Sequence, residues 1–207
     1  GAIAIYSQQG NVDLTGGTIK LGGNEAVGVY TVGSGQTVTN SGTDFDIADT
    51  SYGFVNVGSG NTINSTKPNL TLGNDTVYIY SNDTSGTVTN SSHVTSTGDK
   101  NYVIYSAGNV TNTGNMNLQA GTGNVGMYSV KGGTIENRKR ADGTGGVITV
   151  GGSISEKDEY GIGMAAGYSW TKKDLEKPIS QRPKQTTGNI INRGTINVNG
   201  EYSIGMY

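Results

Sequence analysis

The sequence predicts an all-β chain, a three-strand parallel β-helix (β-solenoid) of about seven turns carrying two loop insertions. Three observations predict it. A short apolar strand ending in tyrosine returns along the chain, with anchors at Tyr6, Tyr30, Val55, Tyr80, Tyr105, Tyr128, Ala165 and Tyr207, spaced by 24, 25, 25, 25, 23, 37 and 42 residues. Repeats of this length mark solenoids, propellers or arrays. Each unit holds three short β-type runs with no helix-period segment between them, which selects the solenoid. Finally, 35 glycines and 32% hydrophobic residues leave too little apolar mass for one compact core. Ordering a residue costs about 1.5 kcal/mol and burying a Val, Leu or Ile returns about 1.5 to 3 kcal/mol, so a single turn cannot stand alone. Stacked neighbours must supply both backbone partners and cover for the core.

The first strand of each turn alternates. Ile5, Val29, Phe54, Ile79, Ile104, Met127, Met164 and Met206 form an all-apolar inward row. The opposite parity, Ala4, Gly28, Gly53, Tyr78, Val103, Gly126, Gly163 and Gly205, is expected to face outward with the tyrosine anchors two residues on. The second strand places Val12, Val38, Ile63, Val88, Val110, Ile135 and Ile190 inward, and in five of these turns an asparagine follows two places later: Asn40, Asn90, Asn112, Asn137 and Asn192. Such a row predicts a ladder in which each amide bonds the exposed corner backbone and its copy on the next turn; Leu14 and Ser65 break it. The third strand supplies Ile19 and Leu21, Phe45 and Ile47, Leu70 and Leu72, Val94 and Ser96, Met116 and Leu118, Ile154 and Glu156, and Ile196 and Val198.

Two segments, at about 138–151 and 170–187, leave this register and are expected as surface insertions. The chain therefore reads as one β-helix segment, 1–207, and its matching first and last strands, AIAIY and SIGMY, suggest a piece of a longer array.

Several function classes lack raw material. The chain has no cysteine and one histidine, His93, expected as a solvent-facing filler, so thiol chemistry, nucleophilic triads and transition-metal clusters are disfavoured. No metal site and no cofactor are expected. A carbohydrate-active β-helix enzyme, a lyase or hydrolase, would need carboxylates paired across a groove. The candidates are Asp44, Asp46 and Asp49, and Glu156, Asp158 and Glu159, neither group supported by aligned acids on neighbouring turns. The Thr-x-Asn repeats are too interrupted for a flat ice-binding face. No run of 18 apolar residues occurs, so this segment is not expected to insert in a membrane.

Charge is uneven. Residues 1–130 hold three Lys and no Arg against eight acids, whereas 131–207 hold eleven Lys plus Arg against eight acids. The second insertion joins the only tryptophan, Trp170, two prolines and the cations Lys172, Lys173, Lys177, Arg182 and Lys184; Arg138, Lys139 and Arg140 lie one turn away. An aromatic ring among cations on a proline-stiffened loop is the pattern of a contact for acidic surfaces, sulfate or sialate, and these nine residues are the candidate ligand-binding set. The other reading of these charges is a solubilising loop.

The phrases VGVYTV at 27–32, VGMYSV at 125–130, YGIGMA at 160–165 and YSIGMY at 202–207, set beside strands such as GTINVNG at 194–200, resemble passenger repeats of classical autotransporter adhesins, in particular the very large type V secreted outer-membrane proteins of oral Gram-negative anaerobes. The resemblance spans essentially all of the chain outside the insertions. It implies a right-handed β-helix on the bacterial cell surface, anchored through an outer-membrane barrel beyond this segment. It further implies a monomer whose partner is a host-cell or bacterial surface protein or glycan, with no nucleic acid, no catalytic residues, and a role in attachment or as the rigid stalk of an attachment site.

Overall fold

The computed structural model describes residues 1–157 and 159–207. Its strands wind in sequence around three faces. The first turns are β1 (Ile3–Ser7), β2 (Val12–Leu14) and β3 (Thr18–Leu21); β4 (Val27–Thr31), β5 (Thr37–Asn40) and β6 (Asp44–Ile47); β7 (Tyr52–Asn56), β8 (Thr62–Ser65) and β9 (Asn69–Leu72). They continue with β10 (Val77–Ser81), β11 (Thr87–Asn90) and β12 (His93–Ser96); β13 (Tyr102–Ser106), β14 (Asn109–Asn112) and β15 (Met116–Thr122); β16 (Val125–Ser129), β17 (Thr134–Arg138) and β18 (Val147–Gly152). The last are β19 (Ile162–Ala166), β20 (Asn189–Arg193), β21 (Thr195–Val198) and β22 (Ile204–Met206).

Every sheet pairs each strand with its counterpart on the next turn, in parallel. The first face is an eight-stranded sheet and the second a seven-stranded one, while the third divides into a two-stranded piece, β3–β6, and a five-stranded sheet from β9 to β21. The β-solenoid is as expected, but the count is corrected: the third face runs unbroken through five turns, not about seven. The tyrosine anchors share one register from Tyr6 to Ala165.

Two expectations about register are overturned. The turn after β17 recruits Ile148 and Val150 to the third face, opposite Met116 and Leu118 on one side and Ile196 and Val198 on the other. Ile154 and Glu156 do not stand there, and the first insertion shrinks to the loop between β17 and β18. The reason is burial: Ile148 and Val150 are both fully buried, and no other apolar pair in that stretch reaches the core. That turn makes a second excursion after β18, where Ile154 and Glu159 form an antiparallel bridge.

The first-face strand is also bent. Tyr78 and Val103 are buried together with their neighbours Ile79 and Ile104, so two consecutive residues point inward and the alternation resumes only at half-buried Tyr80 and Tyr105. The row containing Gly28, Gly53 and Tyr78 thus faces the core, not solvent. A Cβ on Gly28 would lie 2.4 Å from a ring carbon of Phe45, and one on Gly53 would lie 2.9 Å from a ring carbon of Tyr78. The glycines make room for an interior aromatic cluster, Phe45, Phe54 and Tyr78, with ring centroids 5.1 to 6.0 Å apart. The inward row is buried from Val29 to Met164, with Ile5 partly covered and Met206 exposed on the last strand.

Candidate functional site

The stack pairs most of its buried polar side chains with one another or with corner backbone; among the described residues Gln36 Oε1, Thr50 Oγ1, Asn90 Oδ1 and Glu159 Oε2 are buried without a hydrogen-bond partner. In the asparagine ladder, Asn90 Nδ2 donates to Asn112 Oδ1 (2.8 Å), Asn112 Nδ2 to Asn137 Oδ1 (2.9 Å) and Asn137 Nδ2 to Asn192 Oδ1 (3.0 Å), and each amide also bonds a corner carbonyl. At the Ser65 break the Tyr78 hydroxyl substitutes for the missing amide, 2.8 Å from Ser65 Oγ and 3.3 Å from Asn40 Nδ2. Burial pushes the Tyr78 phenol up to about 12, against the lowering effect of these two bonds.

Two further buried polar rows close the other corners. Thr31 Oγ1, Asn56 and Ser81 Oγ are linked at 3.0 and 3.1 Å, and Asn101 and Asn124 accept the backbone N–H groups of Thr76 and Asn101. His93 belongs to this bookkeeping of corner groups: it is half-buried and its Nδ1 accepts the N–H of Asn115 at 3.1 Å, which corrects its reading as a solvent-facing filler. The outward tyrosines stack on one another, Tyr6 on Tyr30 and Tyr80 on Tyr105 nearly parallel, and Tyr105 against Tyr128 edge-on.

The candidate carboxylates are dispersed. Asp44 pairs with Lys67 at 2.6 Å, Asp46 lies opposite Lys20, and Glu159 pairs with Lys100 at 2.8 Å. Glu156 and Asp49 are exposed, and Asp158 lies outside the described residues. Among the described residues no group of three or more His, Cys, Asp or Glu is arranged to hold a metal ion.

The second insertion is a folded loop. Its stems are bridged by Tyr168 and Thr186, each donating its N–H to the other's carbonyl. Between them Thr171 caps the one-turn helix α1 (Lys172–Leu175), with Asp174 returning the bond to the Thr171 N–H in a capping box. The Asp174 carboxylate also accepts the Tyr168 hydroxyl and pairs with Lys177 at 2.9 Å. The Tyr168 bond, then Lys177 and Thr171, hold Asp174 well below the usual carboxylate range, and Tyr168 is correspondingly raised.

This network sorts the predicted contact residues. Trp170 donates its indole N–H to the Pro183 carbonyl at 2.8 Å and carries the Arg182 guanidinium 4.9 Å from its ring centroid. Arg182 also bonds the carbonyls of Lys177 and Leu175. Trp170, Lys177 and Arg182 therefore hold the loop together. Lys172, Lys173 and Lys184 remain on its surface. Lys172 and Lys173 line a shallow cleft of about 650 Å³ with Tyr160, Thr171 and Glu176. Lys184 lines a groove of about 520 Å³ with Thr84, Val130, Lys131, Tyr168, Pro183 and Thr186.

Arg138, Lys139 and Arg140 stand elsewhere. They leave the C-terminal end of β17, whereas the large insertion enters the N-terminal end of its parallel partner β20. The points where the two loops leave the sheet are therefore separated by the length of a five-residue strand, about 16 Å. Arg140 is held by the Ser91 carbonyl, and the three residues line a separate recess of about 490 Å³ with Thr113 and Ala141. The sequence signalled the cations but not Lys131, Tyr168 or Asp174; the Thr171-x-x-Asp174 spacing was the available signal for the last.

Comparison of the chain with protein-family models, with curated proteins and with solved structures finds no match.

Proposed function

We propose that this chain is an extracellular adhesin segment of the autotransporter-passenger kind, attaching a bacterial surface to host cells or other bacteria, in which the stack is a rigid support and the 170–187 insertion is the contact. One observation carries the reading: the stack spends its polar groups on neighbouring turns, whereas the insertion spends Trp170, Lys177 and Arg182 on its own architecture and leaves Lys172, Lys173 and Lys184 outward. A loop that is internally braced pays little ordering entropy on binding, and outward cations suit an acidic partner. A binding role rather than a catalytic one fits the dispersed carboxylates, since Asp44 and Glu159 are each committed to a lysine.

The test is excision of the insertion with Ser169 joined to Gly188. The shortened chain is expected to melt with the parent and to lose attachment to target cells that the parent shows and that weakens as salt rises. Equal attachment by both chains assigns the contact elsewhere and makes this segment a stalk.

A further inference from the structure

The corners between the first and second faces differ in length. Asn82–Gly86 spans five residues and Val130–Gly133 four, but the turn between them crosses with Ala107 and Gly108 alone. The short corner leaves a recess between two longer ones. Lys131 reaches back over it, and its ammonium donates to Asn82 Oδ1 at 2.6 Å, two strands away along the stack. On the far side the stem of the insertion closes the recess with Tyr168, Pro183, Lys184 and Thr186. From Thr84 to Tyr168 the groove crosses three strand spacings, about 14 Å.

Its chemistry is specific. The lining is mostly apolar, from Val130, Pro183 and the Tyr168 ring, and it is flanked by two ammonium groups. Each wall is held in place: the Tyr168 hydroxyl by Asp174, the Pro183 carbonyl by Trp170, and Lys131 by Asn82. The backbone at its centre, at Val130, Tyr168 and Thr186, is paired. The Val130 N–H donates to Ser106 O, the Val130 carbonyl accepts Thr186 Oγ1 at 2.6 Å, and Tyr168 and Thr186 use each other. An extended peptide, which binds by adding a strand, finds no free main-chain partner at these positions. A sugar needs none, since its C–H face packs on an aromatic or proline surface and an acid group meets the cations.

We propose that this groove is a binding site for an acidic glycan, a short oligosaccharide bearing carboxylate or sulfate, with Tyr168, Pro183 and Val130 as its floor and Lys131 and Lys184 as its anion contacts. The proposal rests on the adhesin reading and names the ligand class of the insertion. It also gives Trp170, Asp174 and Arg182 a purpose, as the brace that fixes the floor.

The 207-residue chain is titrated by saturation-transfer NMR with 3′-sialyllactose against lactose, with a chondroitin sulfate tetrasaccharide against unsulfated chondroitin, and with a hexaglutamate peptide. At least one acidic sugar is expected to bind, its counterpart lacking sialate or sulfate roughly tenfold more weakly, and the peptide no better than that counterpart. The sialyl and sulfated arms separate carboxylate from sulfate as the group read. Lys131→Ala and Lys184→Ala are each expected to weaken binding about fivefold or more, and Thr84→Trp, which fills an exposed edge of the groove, to abolish it. Lys20→Ala, on the third face, serves as the control and leaves binding unchanged. Melting curves matching the parent establish that each variant is folded. Failure of every acidic sugar to bind, equal binding of counterparts, tighter binding of the peptide, or indifference to the two lysine changes overturns the proposal. Cell attachment separates the two readings: a chain that attaches equally with both lysines replaced keeps the adhesin reading and loses this one, whereas a chain that neither attaches nor binds loses both.

Discussion

The turns from Val27 to Ser129 and the turns from Lys131 onward obey one winding rule but divide the work differently. In the first group no connection between strands exceeds five residues, the inward row is wholly buried and polar side chains are linked from turn to turn. In the second, three excursions leave the corners, eleven of the fourteen cations are concentrated, and the insertion builds its own hydrogen-bond network. Stability in a stack is a nearest-neighbour quantity, so a loop that pairs with itself is added without cost to the winding. The repeat supplies rigidity, and its interruptions are free to carry recognition.

The largest expected effect tests that division directly. Ile104 is fully buried between turns, whereas Leu175 is half-exposed on the insertion. Ile104→Asp is expected to cost several kcal/mol and unfold the array, because an unpaired charge is placed where each turn depends on its neighbours. Leu175→Asp is expected to leave the far-UV circular dichroism melt in place. Similar losses from both, or from neither, would mean that stack and insertion are not energetically separate.

A finer comparison lies within the ladder. Asn112 is buried and bonded on both sides, to Asn90 and Asn137, whereas Asn192 is exposed at the end of the row. Asn112→Ala is expected to cost about 2 to 4 kcal/mol in urea unfolding, since several buried partners lose their bonds together, and Asn192→Ala about 1 kcal/mol or less. Tyr78→Phe should cost about 1 to 3 kcal/mol by reopening the Ser65 gap. Tyr78 also carries a pH signature. Its folded value is raised to about 12, so its contribution is complete below the unfolded value near 10 and is lost as pH rises from there toward 12. That window is worth roughly 3 kcal/mol, and alkaline unfolding should be shallower in Tyr78→Phe, with Tyr105, also raised to about 12, and the raised Tyr102, Tyr128 and Tyr168 as further contributors.

These residues mark what was legible in the sequence. The asparagine spacing announced the ladder, because a side chain that must bond its own copy has to recur at the period of the turn. Tyr78 was misread, because a bend that points two consecutive residues inward leaves no trace in strict alternation. Ile148 and Val150 were hidden by the charged loop before them, which shifted the apparent register of the third face. For the insertion, composition exposed the cations, but which of them are used internally depends on a folded loop. Arg182 and Lys184 are two residues apart and chemically alike, yet one stacks on Trp170 and the other lines the groove.

The smallest expected effect is confined to the insertion. Asp174 is held low by the Tyr168 hydroxyl, Lys177 and Thr171, so the order it imposes is complete above the unfolded carboxylate value near 4 and is lost as pH falls through its lower folded value. Trp170 is the only tryptophan, and its ring lies between the Arg182 guanidinium and the Pro183 carbonyl, so its fluorescence reports this loop and nothing else. Acidification below pH about 4 is expected to shift Trp170 emission while far-UV circular dichroism holds, and Asp174→Asn is expected to show the shifted emission already at neutral pH. Should emission and circular dichroism change together at one pH, the insertion would be melting with the stack. It would then be a cooperative part of the repeat and not a separately braced loop.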